Sequence, residues 1–150
     1  MITPGISARL ASWPFPCDPT FSRGRAAALL AASGLGLALG LVLADPATDR
    51  PMGWFSAEMP PQEQGFAMLT YWMGEAFQGR GLMRDAAAEA VALVFASLPV
   101  QALRAAVQGD NTASLSLLTH LKARLLGPGH IWCPSRQRQE ACFYYEMARR

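Results

Sequence analysis

At 150 residues, half of them hydrophobic and only 16% charged, the chain suits one domain with a proper core and is not a disordered segment. A net charge of +2 is too small to indicate nucleic acid, and no basic cluster suggests a groove for one. Three scattered cysteines, Cys17, Cys133 and Cys142, make no disulfide framework and point to a reducing, cytoplasmic setting; His130 lies near two of them, but a fourth ligand is missing, so no metal is expected.

Residues 1–33 read as an N-terminal segment and helix, and residues 34–147 as the core of the same domain. Met1 to Leu10 carries little signal. Trp13-Pro14-Phe15-Pro16 is extended and stiffened by its prolines. A helix is predicted from Pro19 or Thr20 to Ala32. The uncharged run Ala26 to Ala44, behind Arg23 and Arg25, has the length of a membrane span or a signal-peptide core. Ser33-Gly34 splits that run, and Gly36 and Gly40 dilute its second half. Helix followed by a buried strand, Leu35–Leu43, is therefore the expectation, with no membrane segment. A turn from Asp45-Pro46 to Arg50-Pro51 leads into a second strand, Met52–Glu58, to make a hairpin. Pro60-Pro61 opens the next loop and Gly65 the third strand, Phe66–Met73, which is apolar on both faces as a central strand should be.

The stretch after that strand organises the chain. Gly74 stops the apolar run, Gly79 and Gly81 flank Arg80, and a helical stripe follows at Met83, Ala87, Ala90, Val91, Val94 and Phe95, stopped by Pro99. The order is strand, glycine turn, helix. A helix N-terminus reached through glycines is a ready anion site, and Arg80 and Arg84 add positive charge to it. The natural ligand is a phosphate or pyrophosphate. There is no Gly-Lys-Thr loop, and the third glycine of a dinucleotide turn is absent. Downstream, Leu103, Ala105 and Val107 alternate with Arg104 and Gln108 as a strand with one buried face. Gly109-Asp110-Asn111-Thr112-Ala113-Ser114-Leu115-Ser116-Leu117-Leu118 then starts a second helix. Asn111 suits its N-cap, and Ser114 lies on the face of Leu118 and Leu121.

Gln78-x-x-Gly81-x-Met83 resembles the pyrophosphate loop of the GNAT superfamily of N-acetyltransferases, Gln/Arg-x-x-Gly-x-Gly/Ala. Met83 departs from the small last residue, but Gly81-Leu82-Met83 is a form familiar in the Rim-type branch. Asn111-x-x-Ser114-x-x-Leu117-Leu118 resembles the family's later helix start, and Trp13-Pro-Phe-Pro16 the segment between its first two helices. The resemblance covers roughly Gly34 to Met147. It implies an α/β (α+β) acyl-CoA N-acyltransferase fold, a mixed but mostly antiparallel sheet flanked by helices, with the family's first strand missing. It implies an enzyme that transfers an acetyl group from acetyl-CoA to a primary amine, either a protein N-terminus or a small molecule.

The same resemblance implies the roles. Backbone around Tyr71, Trp72 and Met73 would hold the pantetheine arm, and Gln78, Gly79, Arg80, Gly81, Leu82, Met83 and Arg84 the pyrophosphate. Asn111 would contact cofactor or amine, and Ser114 would protonate the leaving sulfur. Glu58 and Glu75 are the candidates for general base, and either also reads as a solvated strand-end carboxylate. A non-catalytic acyl-CoA-binding relative and a membrane-anchored protein are the alternative readings. Lys122 replaces the family's glycine, and if left-handed it is strained by about 1 kcal/mol. The remainder reads as a loop through Gly127-Pro128-Gly129 carrying His130, a solvated basic stretch with Arg136 and Arg138, and a last strand, Cys142–Met147, on which Tyr144 or Tyr145 either faces the acceptor or, as is commoner on a terminal strand, serves packing. Arg149 and Arg150 read as a solvated tail, and His120 as surface. With no first strand, one apolar hairpin strand is an open edge. Either the residues before Trp13 fold over it, or a second copy pairs with it as a homodimer, or the N-terminus is shortened and the missing strand belongs upstream.

Overall fold

The computed structural model describes residues 2–63 and 65–149; Met1, Gln64 and Arg150 lie outside it. Helix α1 spans Pro4–Ala8 and α2 Pro19–Gly34. Strands β1 (Ala38–Ala44), β2 (Pro51–Glu58) and β3 (Phe66–Met73) follow, then a 3-10 turn, Glu75–Phe77, and α3 (Leu82–Ser97). The chain continues through β4 (Ala102–Val107), α4 (Thr112–His120), β5 (Arg124–Cys133) and β6 (Arg138–Ala148). The strands form one sheet in the order β1-β2-β3-β4-β6-β5. Only the β3–β4 pair is parallel, so the sheet is mixed and mostly antiparallel.

The uncharged run divides as its glycines indicate. Asp18 caps α2 through its side chain, which accepts from Phe21 N, and Pro19 occupies the first turn, where its missing N–H is no loss. Gly36, at φ 70°, turns the chain out of the helix, so β1 starts at Ala38 and not at Leu35. Leu35 and Leu37 belong to that turn and are exposed. No helix among the described residues is long and apolar enough to cross a membrane.

Alternation places Phe55 and Ala57 of β2, Ala67 and Leu69 of β3, and Leu103, Ala105 and Val107 of β4 on one face, where Ala90 and Val94 of α3 and Leu118 of α4 close the main core. Phe55, Leu103, Val94 and Leu118 are fully buried, each contributing about 1.5–3 kcal/mol of transfer free energy. The opposite face carries a second cluster. Ile6, Leu10 and Trp13 pack there with Phe21, Trp54 and Trp72, and the Trp13 ring meets Trp54 and Trp72 edge-on at 5.5 and 5.6 Å. The Trp-Pro segment is thus the bridge between α1 and α2 and the seat of a buried indole.

Three expectations are corrected here. Gly127-Pro128-Gly129 is not a loop: it lies within β5, and β6 starts at Arg138, four residues before Cys142. β5 is the outermost strand, and its register is broken between Leu125 and Gly127, where Gly127 takes φ 140°. An edge strand with a bulge accommodates both proline and glycine. His130 accordingly stands on β5, paired with Ala141, and not in a flexible loop.

Arg136 and Arg149 are not solvated. Arg136 donates to the carbonyls of Ser7 (2.8 Å) and Leu10 (3.0 Å) and to both oxygens of Glu140, and Arg149 donates to those of Val100 and Leu98. Arg136 thereby pins the end of α1, and Arg149 the end of α3. Arg138 is mostly exposed, as expected, although it too bonds Glu140.

The residues before Trp13 do not cover the hairpin edge. Among the described residues β1 pairs with β2 alone, while α1 packs over the middle of the sheet. The reason is apolar: Ile6, Leu10 and Trp13 are buried by packing on Trp54 and Trp72 in the middle of the sheet.

Candidate active site

Strands β3 and β4 pair only from Phe66 to Met68 against Ala102 to Arg104. Beyond that point β4 keeps its pairing with β6 and β3 with β2, so the two central strands diverge. The opening leaves the β4-facing backbone of Leu69–Met73 unpaired by its neighbour. A cleft of about 560 Å³ occupies it. Its walls come from both faces of the sheet: Tyr71, Trp72 and Met73 from β3, Gly79 and Gly81 to Arg84 from the glycine turn, Asn111 and Ser114 from the start of α4, and Ile6, Arg9 and Leu10 from the N-terminal segment.

The glycine turn is shaped for an anion. Gly79 and Gly81 take φ 70° and 77°, and Gly81 is the left-handed N-cap of α3, with no side chain capping the first turn. A Cβ on Gly79 would meet open space, and one on Gly81 only the Asp85 carboxylate at 3.9 Å, so the backbone is freely approachable. Arg80 and Arg84 are exposed beside it. Gln78 does something else: its side-chain amide donates to Met73 O at 2.8 Å and ties the turn back to the end of β3. Uncapped N–H groups, open glycines and two cations suit a pyrophosphate.

Across the cleft, the Asn111 side-chain oxygen accepts from Ser114 N at 3.2 Å, which starts α4 and leaves the Ser114 hydroxyl in the cleft wall. Leu118, one turn on, is fully buried, so the face carrying Ser114 is the inward one. Tyr71 stacks on Phe55 at 6.0 Å and 18°, with its hydroxyl buried and without a hydrogen-bond partner among the described residues. Burial pushes its phenol above the usual value of 10, while the nearby Ser114 hydroxyl acts in the opposite direction.

The two carboxylates separate. Glu75 lies in the cleft wall and accepts from the Thr3 hydroxyl. Glu58 is not brought to the cleft. It ends β2 opposite Met68, and the Arg25 guanidinium takes both of its oxygens, one at 3.0 Å. Tyr145 packs against the main core, and Tyr144 lies over Gly129 with its hydroxyl donating to His130 O, so neither lines the cleft.

Sequence reading gives the residues before Trp13 no part in the site, yet they form one wall. Arg9 pairs with Asp110, Gln108 donates to Ala8 O, and Thr3 reaches Glu75, so α1 is fastened to both lips of the opening. Thr3-Pro4 was the available signal, an N-cap followed by a first-turn proline.

The model of the acetyltransferase (GNAT) domain matches residues 7–124, most of the chain and all of these cleft walls except the first few residues of α1. The chain belongs to the GNAT acetyltransferase family. It is an acetyl-CoA-dependent N-acetyltransferase, which moves an acetyl group from the thioester to an amine. Solved GNAT enzymes share its fold. The ribosomal-protein-S5-alanine acetyltransferase of Vibrio fischeri aligns at 19% identity over 87% of this chain and 72% of that one, with a TM-score of 0.74. The ribosomal α-N-protein acetyltransferase RimL, in complex with coenzyme A, aligns at 16% identity over 95% and 80%, with a TM-score of 0.78. The microcin C7 self-immunity acetyltransferase MccE, in complex with acetyl-CoA and AMP, aligns at 18% over 96% and 79%, with a TM-score of 0.77. No curated protein matches the chain.

Proposed function

We propose that the cleft between β3 and β4 is where this GNAT enzyme carries out acetyl transfer, within a single domain spanning the chain. The observation that carries the reading is the divergence of the two central strands beside an uncapped, glycine-led helix N-terminus. The N–H groups from Gly79 to Arg84, with the Arg80 and Arg84 cations, hold the pyrophosphate, and Gln78 fixes the turn that presents them. The unpaired backbone of Tyr71–Met73 holds the pantetheine arm. Acetyl-CoA supplies an activated thioester when bound. The chain's own residues align the amine, accept its proton and donate one to the departing sulfur. Ser114 is the donor, Asn111 sets its position, and Glu75 is the base, being the one of the two candidate carboxylates that lines the cleft, where Asp110 is already paired with Arg9.

The Rim-type neighbours support a protein N-terminus as acceptor, admitted from the side of α1. Three unpaired thiols support a cytoplasmic setting. The open outer edge of β1 supports a homodimer paired there, which light scattering tests; a monomer removes that part of the reading.

Thermal unfolding with added CoA tests the cofactor site. At a hundredfold its dissociation constant, CoA stabilises the fold by about 2.7 kcal/mol. Gly81→Asp abolishes the effect by placing a negative side chain where a phosphate sits. No shift at millimolar CoA with the unsubstituted chain overturns the reading.

A further inference from the structure

We propose that the Tyr71 side chain is a positioning residue for Ser114, its phenol donating a hydrogen bond to the Ser114 hydroxyl so that the serine O–H is directed at the sulfur. This rests on the reading of Ser114 as proton donor, and it gives Tyr71 a role beyond its backbone.

The Tyr71 ring is held on both sides of its chain position. It pairs with Phe55 across β2 and β3, and stacks on that fully buried ring. Its hydroxyl therefore has a fixed place, and that place is buried with no partner among the described residues. A buried phenol left unpaired is destabilising unless something in the working state satisfies it. Ser114 stands in the same cleft wall, and its hydroxyl acts on the phenol.

The direction of donation follows from the chemistry of the two groups. Desolvation keeps the phenol neutral through the physiological range, so it retains its proton as a donor. A serine hydroxyl has one proton and two lone pairs. With its oxygen accepting from Tyr71, its own proton is free to point elsewhere, and hydrogen bonds in series strengthen one another. The backbone of Ser114 is already fixed by Asn111, which leaves the hydroxyl rotor as the remaining freedom for Tyr71 to settle. No proton leaves Tyr71 in this scheme.

The test uses the full chain with CoA as the probe, following the thiolate absorbance of bound CoA against pH. A donor aimed at the sulfur stabilises the thiolate and lowers the pKa of the bound thiol. Ser114→Ala is expected to raise that pKa, and Tyr71→Phe to raise it part of the way. In the Ser114→Ala background, Tyr71→Phe is expected to add nothing. Tyr71→Phe keeps the ring and removes only the unpaired hydroxyl, so its thermal stability stays equal or rises. An unchanged thiol pKa in Tyr71→Phe overturns the proposal, and so does an equal effect in both backgrounds, which makes Tyr71 a direct partner of the sulfur. If Ser114→Ala alone leaves the pKa unchanged, the reading of Ser114 as donor fails, and the positioning role fails with it.

Discussion

The Asn111 side-chain oxygen holds the backbone N–H of Ser114 at 3.2 Å, so a single capping contact both starts α4 and sets where the Ser114 hydroxyl emerges. Asn111→Ala removes the cap and is expected to lower stability by about 1 kcal/mol in urea denaturation. Asn111→Asp keeps the acceptor and suits the positive end of the helix, so it is expected to stay within a few tenths of a kcal/mol of the parent. Equal losses in the two variants would show that the cap is not what Asn111 contributes.

Glu140 links pH to the N-terminal wall of the cleft. The Arg136 guanidinium holds its carboxyl well below the usual carboxylate range, with Arg138 adding to the effect. Arg136 also grips the carbonyls of Ser7 and Leu10, and Gln108 bonds both Glu140 and Ala8 O. Because the folded pKa is depressed, this stabilisation is fully present above the ordinary value of 4.5 and is lost as the pH falls from there through the lower folded value. Equilibrium unfolding is expected to show stability falling below about pH 4.5. Glu140→Gln should flatten that fall and cost about 2 kcal/mol at pH 7, the scale of a charge-assisted hydrogen bond.

Lys122 is the C′ residue of a Schellman motif. Its N–H bonds Thr119 O at 3.0 Å, Ala123 N bonds Leu118 O at 2.9 Å, and its own φ is 58°. The left-handed conformation that a glycine would adopt freely is here imposed on a lysine. Lys122→Gly is expected to raise stability by about 0.5–1 kcal/mol, read as a higher denaturation midpoint with an unchanged slope. A lower midpoint would mean that the lysine stem contributes packing that outweighs the strain.

Much of this molecule is written locally. The third strand, Phe66–Met73, is found where its unbroken apolar run places it, α3 where the stripe from Met83 places it, and α4 behind its Asn111 cap. These features are legible because strand burial, helical periodicity and capping are each decided within a few residues. The glycine turn is legible for the same reason, since Gly79 and Gly81 must permit a backbone conformation that other residues resist.

Other features depended on partners far away in sequence. Gly127-Pro128-Gly129 reads as a loop until β6 lies beside it and makes it an edge strand with a bulge. Arg136 reads as solvated until the carbonyls of Ser7 and Leu10 arrive from more than a hundred residues away. Glu58 and Glu75 are indistinguishable strand-end carboxylates in the sequence; only the fold gives Arg25 to the first and the cleft to the second. The buried Tyr71 hydroxyl belongs here too, because a lone tyrosine on a strand says nothing of what faces it. Sequence alone determined β3, α3, α4 and the glycine turn between β3 and α3, whose physics is local in the chain. Tertiary structure decided which polar groups are satisfied, because burial and hydrogen bonding depend on what the rest of the chain brings alongside.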